Sequence, residues 1–401
     1  MADTSTETSR KSRSGRLPAG VYLLGFCLFA MGSAEFLLAG VLPAVAADLE
    51  VSLSSAGYLI TAFALGVVIG GPPFAVLSSR WPRHTTLVIT QGAFAASIAT
   101  GLVGNYSVLL VTRAVAGVAY AGFFAVATVT AISLVTADRN ARASGVVVSG
   151  LSVAMVAGGP AGTLLSHYTE WRGGFWVVVA LTIAGAVGCV LVIPKVRPRT
   201  GPAAESTVTR ELANLRNPML WGMWTITVLT TAAYMITYNY LAAMLADITA
   251  LSEAWIPAVL TLFGIGAFIG LSVGGRISDR RPHTALLSGS AAVAVLSLTM
   301  VAAIQQSWAA AAVAFLLGIA AFVLNPAIYG RVFALAVHAP TLAGAATVSA
   351  FQLGISLTPA LAGIALGHGA VLTVICVIGA ALAIGAVPLI LNDRVRQGRQ
   401  P

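Results

Sequence analysis

A chain of 401 residues in which 58% of side chains are hydrophobic and only 9% are charged differs sharply from soluble proteins, where about a quarter of residues are charged. This composition excludes a water-soluble globular protein and requires lipid as the solvent. The net charge of +9 does not indicate a nucleic-acid-binding protein, because the basic residues lie in the two tails and in short breaks between apolar runs.

Twelve apolar runs follow one another along the chain, and each is long enough, at roughly 20 residues, to cross a bilayer as a helix. They cover residues 18–43, 54–78, 85–103, 107–135, 142–165, 172–194, 218–245, 254–276, 284–303, 308–331, 341–366 and 369–391. The first run is too long for the core of a signal peptide, so it is predicted to be an uncleaved span. The sequence therefore predicts an all-α membrane protein with 12 transmembrane helices.

The basic residues predict the orientation of these spans. Of the 22 Lys and Arg residues, all but Arg113 and Arg172 lie in the tails and in the breaks after even-numbered runs. Arg331 and His283 are both assigned to such breaks. The positive-inside rule places both termini in the cytoplasm of a bacterial cell, with the chain in the inner membrane. The breaks after odd-numbered runs then form the predicted outer face.

The longest polar break divides the twelve runs into two sets of six. The predicted domains are a disordered cytoplasmic tail, 1–17, an N-terminal half, 18–194, a cytoplasmic linker, 195–217, a C-terminal half, 218–391, and a cytoplasmic tail, 392–401. Residues 61–82 and 261–282 align without a gap and are identical at 8 of 22 positions. This repeat predicts two pseudo-symmetric six-helix halves that arose by duplication.

The break after the second run carries a recognisable pattern. Residues 75–83 read Ala-Val-Leu-Ser-Ser-Arg-Trp-Pro-Arg, and residues 275–282 read Gly-Arg-Ile-Ser-Asp-Arg-Arg-Pro. Both resemble the cytoplasmic signature of the major facilitator superfamily, usually Gly-x-Leu-x-Asp-Arg-x-Gly-Arg, although Ser79 replaces its acidic residue in the first copy. The resemblance implies the major facilitator fold and a cytoplasmic latch formed by Arg80, Arg83, Asp279 and Arg280.

Two further signatures narrow the resemblance. The fifth run carries Gly150, Gly159, Pro160 and Gly162, in a pattern similar to the antiporter motif of the same family. Residues 32–43, Gly-Ser-Ala-Glu-Phe-Leu-Leu-Ala-Gly-Val-Leu-Pro, resemble the first span of its drug:proton antiporter branch, and the chain is most similar there to actinobacterial chloramphenicol exporters. The same first-span pattern occurs in exporters of sugars and purine nucleosides, which remain the alternative.

Glu35 and Arg113 are the two ionisable acid or base residues that lie well inside the predicted spans. Charges inside a bilayer are costly, so they are functional candidates. At 1.5 Å per residue, both lie roughly 9–12 Å below the predicted outer face. We hypothesise that Glu35 is the proton-coupling carboxylate and that Arg113 tunes it. The alternatives are a carboxylate that reaches interfacial water and an arginine that anchors carbonyl groups or lipid headgroups.

Polar side chains within the C-terminal spans are candidates for the substrate cavity, since such cavities are mainly apolar with a few polar groups. The candidates are Tyr234, Tyr238, Asn239, Asn325 and Gln352, of which Tyr238 and Asn239 come first. The alternative for each is a helix-packing contact. Cys27, Cys189 and Cys376 show neither pairing nor metal-ligand spacing, so no metal and no cofactor are predicted.

The sequence thus predicts a secondary active transporter rather than an enzyme. It lacks both a cluster of His, Asp or Glu at the membrane face and a phosphate-binding ATPase loop, so a gradient must supply the energy. The predicted function is a proton-coupled antiporter, a monomer in the bilayer, that exports a small amphipathic drug, with chloramphenicol as the first candidate. The non-transport alternatives are a membrane sensor and a membrane-embedded enzyme.

Overall fold

The computed structural model describes residues 17–77, 81–136, 139–194, 217–278, 280–336 and 340–397. These residues form helices joined by short turns, because a backbone in lipid must satisfy its hydrogen bonds within the helix itself. In chain order the α-helices are α1 (Ala19–Asp48), α2 (Leu53–Leu77), α3 (Arg83–Val103), α4 (Tyr106–Ser133), α5 (Asn140–Val153), α6 (Gly159–Val192), α7 (Pro218–Asp247), α8 (Ile256–Ser278), α9 (Pro282–Ala303), α10 (Ser307–Leu335), α11 (Pro340–Gly367) and α12 (Val374–Gln397).

Within the described ranges, 11 helical stretches are long and apolar enough to cross a membrane. One of them, Arg142–Val192, has 51 residues and combines α5, a π-helical segment at Ala154–Gly158, and α6. At 1.5 Å per residue it is about 76 Å long, more than twice the thickness of the bilayer core. Its backbone is non-helical at Thr169 and Glu170, where φ of Glu170 is 61°. This break divides the stretch into two spans, so the twelve predicted spans are present.

Several helices extend beyond their predicted ends, and α1 and α12 do so by the most. α1 continues through Pro43 to Asp48, since a proline inside a membrane helix removes only one backbone hydrogen bond, whose acceptor neighbouring groups can satisfy. α12 continues to Gln397, so residues 392–397 of the predicted tail are helical. Arg394 and Arg396 lie in its last turn, where positive charge stabilises a helix C-terminus.

The predicted repeat reappears as the same close helix crossing in both halves. A methyl group added at Gly66 of α2 would overlap the carbonyl oxygen of Ala114 in α4. At the equivalent place, a methyl group at Gly266 of α8 would overlap the carbonyl oxygen of Phe315 in α10. Glycine lets the backbones touch at both crossings, which explains why it recurs 200 residues later.

The two halves meet at the predicted outer face. There the Thr61 hydroxyl donates a hydrogen bond to the Ser356 carbonyl oxygen at 3.0 Å, and His167 Nδ1 lies 3.3 Å from Glu253 Oε2. One hydrophobic core runs from α1, α2 and α4 into the outer parts of α7, α8 and α10. Toward the opposite face the C-terminal half has a second, separate core around Leu220. The two halves therefore share one core at the predicted outer face, whereas toward the opposite face the C-terminal half has a core of its own.

The C-terminal half also buries a charged cluster that corrects the assignment of Arg331 and His283 to loops. Arg331 lies in α10, and its Nε and Nη2 donate hydrogen bonds to the two carboxylate oxygens of Asp393 in α12, at 2.9 and 3.2 Å. His283 Nε2 lies 2.9 Å from the same carboxylate. All three side chains are buried because the helices extend past the predicted span ends. Glu35 and Arg113 are thus not the only buried charges.

Candidate functional site: a buried carboxylate between the two halves

Glu35 lies on α1, an apolar helix whose residues 30–42 are all buried by its neighbours. The helices packed against α1 are α2, α4, α5, α6, α7 and α8, which belong to both halves. Glu35 is 7% exposed, and its Oε1 is buried without a hydrogen-bond partner. A buried carboxylate oxygen without a donor is energetically costly, so its position requires a functional reason.

Arg113 of α4 lies in the same half and points toward the same region. It is 2% exposed, and Nη1 donates a hydrogen bond to the carbonyl oxygen of Ala34 at 3.4 Å. Its Cζ lies 4.8 Å from the ring centre of Phe63, where the cation is attracted to the face of the aromatic ring. The carbonyl oxygen and the ring hold the guanidinium beside the residue that precedes Glu35 in α1.

The two charged side chains interact through their charges rather than through a close ion pair. Glu35 and Arg113 each lie in the electrostatic field of the other. Arg113 Nε is nevertheless buried without a hydrogen-bond partner, as is Glu35 Oε1. Glu35 and Arg113, which were predicted to lie at similar depth, are therefore close to each other. Each side chain also keeps one polar atom without a hydrogen-bond partner in the protein.

Gln352 of α11 is the residue of the C-terminal half that lies next to the Glu35 carboxylate. Its side chain lies close enough to interact with that of Glu35, and it is itself buried at 6% exposure. The Oε1 of Gln352 also lacks a partner. Since α1 and α11 belong to different halves, the environment of Glu35 depends on how the two halves are placed relative to each other.

Tyrosines surround this pair. Tyr120 of α4 and Tyr234 and Tyr238 of α7 all lie within range of an electrostatic interaction with Glu35. Tyr238 packs with ring centres 6.4 Å from Phe36 and 4.6 Å from Phe263, and its buried hydroxyl has no partner. The predicted candidates Tyr234 and Tyr238 therefore lie in the same buried region as the carboxylate, without a hydrogen bond to it.

Sequence reasoning missed Tyr120 and Tyr329. Tyr329 of α10 interacts electrostatically with Tyr120 and Tyr234, which places it at the edge of the same cluster. Helical periodicity could have found both residues. Tyr120 is seven residues after Arg113, and Tyr329 is four residues after Asn325, so each shares a helix face with a residue already singled out.

Two other candidates have different surroundings. The Asn239 amide donates a hydrogen bond to the Thr358 hydroxyl at 2.8 Å, which joins α7 to α11 inside the C-terminal half. Asn325 has a buried Oδ1 without a partner, one turn from Tyr329. Asn239 is thus held in a helix-packing contact, whereas Asn325 keeps an acceptor for a ligand.

The residues of the antiporter motif pack along α1 beside Glu35. A methyl group at Gly150 would overlap the Gly25 carbonyl oxygen, and one at Gly159 would lie 2.7 Å from Phe36 Cβ. Pro160 has no N–H to donate to the preceding turn, and the π-helical segment 154–158 lies directly before it. The motif therefore builds an irregular, close-packed helix against the part of α1 that carries the carboxylate, a kind of irregularity that is frequent at functional sites.

The predicted cytoplasmic latch falls partly outside the described residues. Arg80 and Asp279 both lie there. Arg83 begins α3, and the Arg280 backbone N–H donates a hydrogen bond to the Ile277 carbonyl oxygen at 3.3 Å in the turn before α9. The latch remains a prediction of the resemblance.

The cluster combines one carboxylate, one guanidinium, an amide and several phenols at the junction of the two halves. Such a group can bind a proton and a ligand that carries an aromatic ring and hydrogen-bonding groups, because aromatic walls supply contact area and polar groups fix orientation. Unpartnered atoms of Glu35, Arg113, Tyr238, Asn325 and Gln352 are available to a ligand.

Comparison with known proteins supports a transporter. The family model of the Major Facilitator Superfamily matches residues 24–359. A "Chloramphenicol resistance protein" of Streptomyces lividans is 38% identical over 360 residues, which cover 88% of this chain and 90% of that protein. "Inner membrane transport protein YdhP" of Escherichia coli (strain K12) is 30% identical over 370 residues, covering 92% and 94% of the two chains.

A solved structure shows the same fold. The crystal structure of the nucleoside transporter NupG superposes with a TM-score of 0.74 and covers 93% of this chain and 98% of that one. The sequence identity is only 12%, so this likeness concerns the helix arrangement alone.

Proposed function

Because the chain belongs to the major facilitator superfamily and is a multi-pass membrane transporter, we propose that it is a proton-coupled antiporter that exports a small amphipathic drug, with chloramphenicol as its first substrate. One observation supports the proposal most strongly. The buried carboxylate of Glu35 lies where the N-terminal half supplies Arg113 and the C-terminal half supplies Gln352.

The arrangement suits proton coupling by alternating access. Arg113 is in the same half as Glu35 and stays with it, whereas Gln352 moves with the other half. When the two halves move relative to each other, Glu35 loses or regains the Gln352 amide as a neighbour, and its exposure to water changes. Both changes alter the affinity of the carboxylate for a proton. Proton uptake from one side and release to the other then follow from the two arrangements of the halves.

The drug class follows from the surroundings of the carboxylate. Chloramphenicol is neutral and amphipathic, with an aromatic ring and several hydrogen-bonding groups. The tyrosines around Glu35 and the free acceptor of Asn325 match these groups. The 38% identity to a protein named for chloramphenicol resistance supports the same choice. In this proposal proton and drug use the same carboxylate in turn, which couples their opposite movements.

Resistance profiling in a drug-sensitive bacterial host without its own exporters tests the substrate. We expect the chain to raise the inhibitory concentration of chloramphenicol, and an uncoupler to abolish the increase. If the profile responds to a purine nucleoside or a sugar instead, the drug assignment is wrong while proton coupling stands.

Proteoliposomes test the coupling directly. We expect Glu35→Gln to abolish chloramphenicol movement driven by a pH gradient, because the amide cannot carry the proton. Glu50→Gln is the matched control, since Glu50 is exposed in the turn after α1 and should leave transport unchanged. Uphill transport by Glu35→Gln at the wild-type rate would refute the proposed role of Glu35.

We further propose that both termini are cytoplasmic and that the protein acts as a monomer in the inner membrane. The charge distribution supports the orientation. A tag at either terminus should react with a membrane-impermeant label only after the cells are opened, and labelling in intact cells would reverse the topology.

A further inference from the structure

Two cysteines that are far apart in the sequence lie together in the N-terminal half. The Sγ atoms of Cys27 in α1 and Cys189 in α6 are 3.9 Å apart, and both side chains are fully buried. The sequence spacing of the cysteines did not predict this contact, although all three cysteines are free. Cys27 and Cys189 are 162 residues apart, so no local ligand spacing could reveal them.

A third helix adds an oxygen donor to the pair. Gln91 of α3 is 0% exposed, and its Nε2 lies 3.5 Å from Cys189 Sγ. Its Oε1 is buried and makes no hydrogen bond. A buried amide oxygen without a donor is unfavourable, and a cation would satisfy it.

The backbone of Gly185 in α6 packs tightly against two of these groups. A methyl group at this position would lie 2.8 Å from Cys27 Sγ and 2.9 Å from Gln91 Oε1. The sulfur atom and the unpartnered oxygen therefore both lie next to Gly185, where only a glycine lets them come this close to the helix backbone.

The sulfur spacing favours a shared ion over a disulfide. The two thiols are free, and 3.9 Å is nearly twice the length of an S–S bond, about 2.05 Å. Two thiolates bound at about 2.3 Å to one tetrahedral ion are separated by about 3.8 Å. The observed spacing is that of a contact between two thiols, and it is also compatible with two ligands of one metal ion.

We propose that Cys27, Cys189 and Gln91 form a binding site for a soft divalent cation. Binding releases two thiol protons and leaves two thiolates, so the assembly of ion and ligands is neutral overall. Neutrality matters because a net charge inside the membrane is costly. The amide oxygen supplies the third donor, and no electron transfer is involved.

The site lies apart from the transport cluster. Cys27 precedes Glu35 by eight residues, which is about 12 Å along α1. The three ligands come from α1, α3 and α6, all in the N-terminal half, so a bound ion clamps this half without bridging to the other. The inference therefore does not depend on the proposed function.

Cadmium titration of the purified full-length protein in detergent tests the site, with Cd²⁺ alone as the probe. We expect one ion per chain and an ultraviolet charge-transfer band from thiolate to cadmium. Cys27→Ser and Cys189→Ser should each abolish the band, and Gln91→Leu should weaken binding by about 10- to 100-fold. Cys376→Ser is the matched control and should keep the band, because Cys376 has a thioether, Met244 Sδ, as its sulfur neighbour at 3.7 Å.

A second measurement covers the case in which a serine variant does not fold. Cd²⁺ should raise the thermal unfolding midpoint of the wild-type protein, whereas Mg²⁺ should not, since only the soft ion binds thiolate. Absence of a cadmium-specific rise would overturn the proposal. A band that persists in both serine variants, or a thiol titration that finds one free thiol instead of three in the metal-free protein, would overturn it too.

Discussion

The carboxylate of Glu35 and the amide of Gln352 are neighbours across the interface between the two halves, although 317 positions separate them in the numbering. Glu35 belongs to α1 and Gln352 to α11, so a single contact reports the placement of one half against the other. In a transporter whose halves rock, this contact must break or change in each cycle. The relationship makes Gln352 the first residue to test after Glu35.

Gln352→Leu should lower proton-driven export about tenfold or more. A hydrogen bond to a charged group contributes about 1.5–3 kcal/mol, and the leucine side chain keeps the size while removing the amide. Initial rates in proteoliposomes under a fixed pH gradient measure the effect. Gln305→Leu, in the exposed turn before α10, should retain the wild-type rate. Equal rates for Gln352→Leu and the wild type would mean that the amide does not contribute.

The contribution of Arg113 to export should depend mainly on its positive charge and less on the shape of its side chain. Arg113→Ala removes the cation next to Glu35, and we expect it to abolish coupled export. Arg113→Lys keeps the charge but loses the planar group over Phe63, so export should persist at a rate about tenfold lower. Transport and thermal stability should be measured together. If Arg113→Ala transports at the wild-type rate, Arg113 is only a structural anchor and has no role in coupling.

Gly66→Ala should destabilise the N-terminal half by about 1–3 kcal/mol, because the added methyl group overlaps the Ala114 carbonyl oxygen and forces α2 away from α4. Thermal unfolding in detergent measures the change. The matched control is Gly92→Ala on α3, where nothing lies within 4 Å of the added atom. The control should be neutral or slightly stabilising, since alanine favours a helix. Similar behaviour of the two variants would contradict the close crossing.

Asp393→Asn should destabilise the C-terminal half by about 3–5 kcal/mol, the usual cost of leaving one partner of a buried ion pair uncompensated. The affected partner is Arg331, whose two hydrogen bonds to the carboxylate tie α10 to α12. Asp247→Asn serves as the control, because Asp247 is exposed at the end of α7 and should have little effect. If both variants unfold at the wild-type midpoint, the cluster contributes nothing to stability.

Most of the architecture follows from the sequence because lipid imposes one simple rule on it. Each span needs an apolar run of bilayer length, and the short polar breaks mark the turns. Helix ends were less predictable: α1 passes Pro43, and α12 carries Asp393 beyond the apolar run. Helices extend past the hydrocarbon when tertiary contacts, such as that of Asp393 with Arg331, stabilise the extra turns.

By itself the sequence determined the membrane class, the twelve spans, the duplicated halves and the choice of Glu35 and Arg113 as unusual charges. Only the tertiary structure decided which side chains meet. Gln352 lies next to Glu35, Cys27 contacts Cys189, and Asn239 donates a hydrogen bond to Thr358. The physical reason is that hydropathy fixes the length and order of membrane helices but neither their rotation nor their neighbours. Those depend on shape, and above all on where glycine lets two backbones touch.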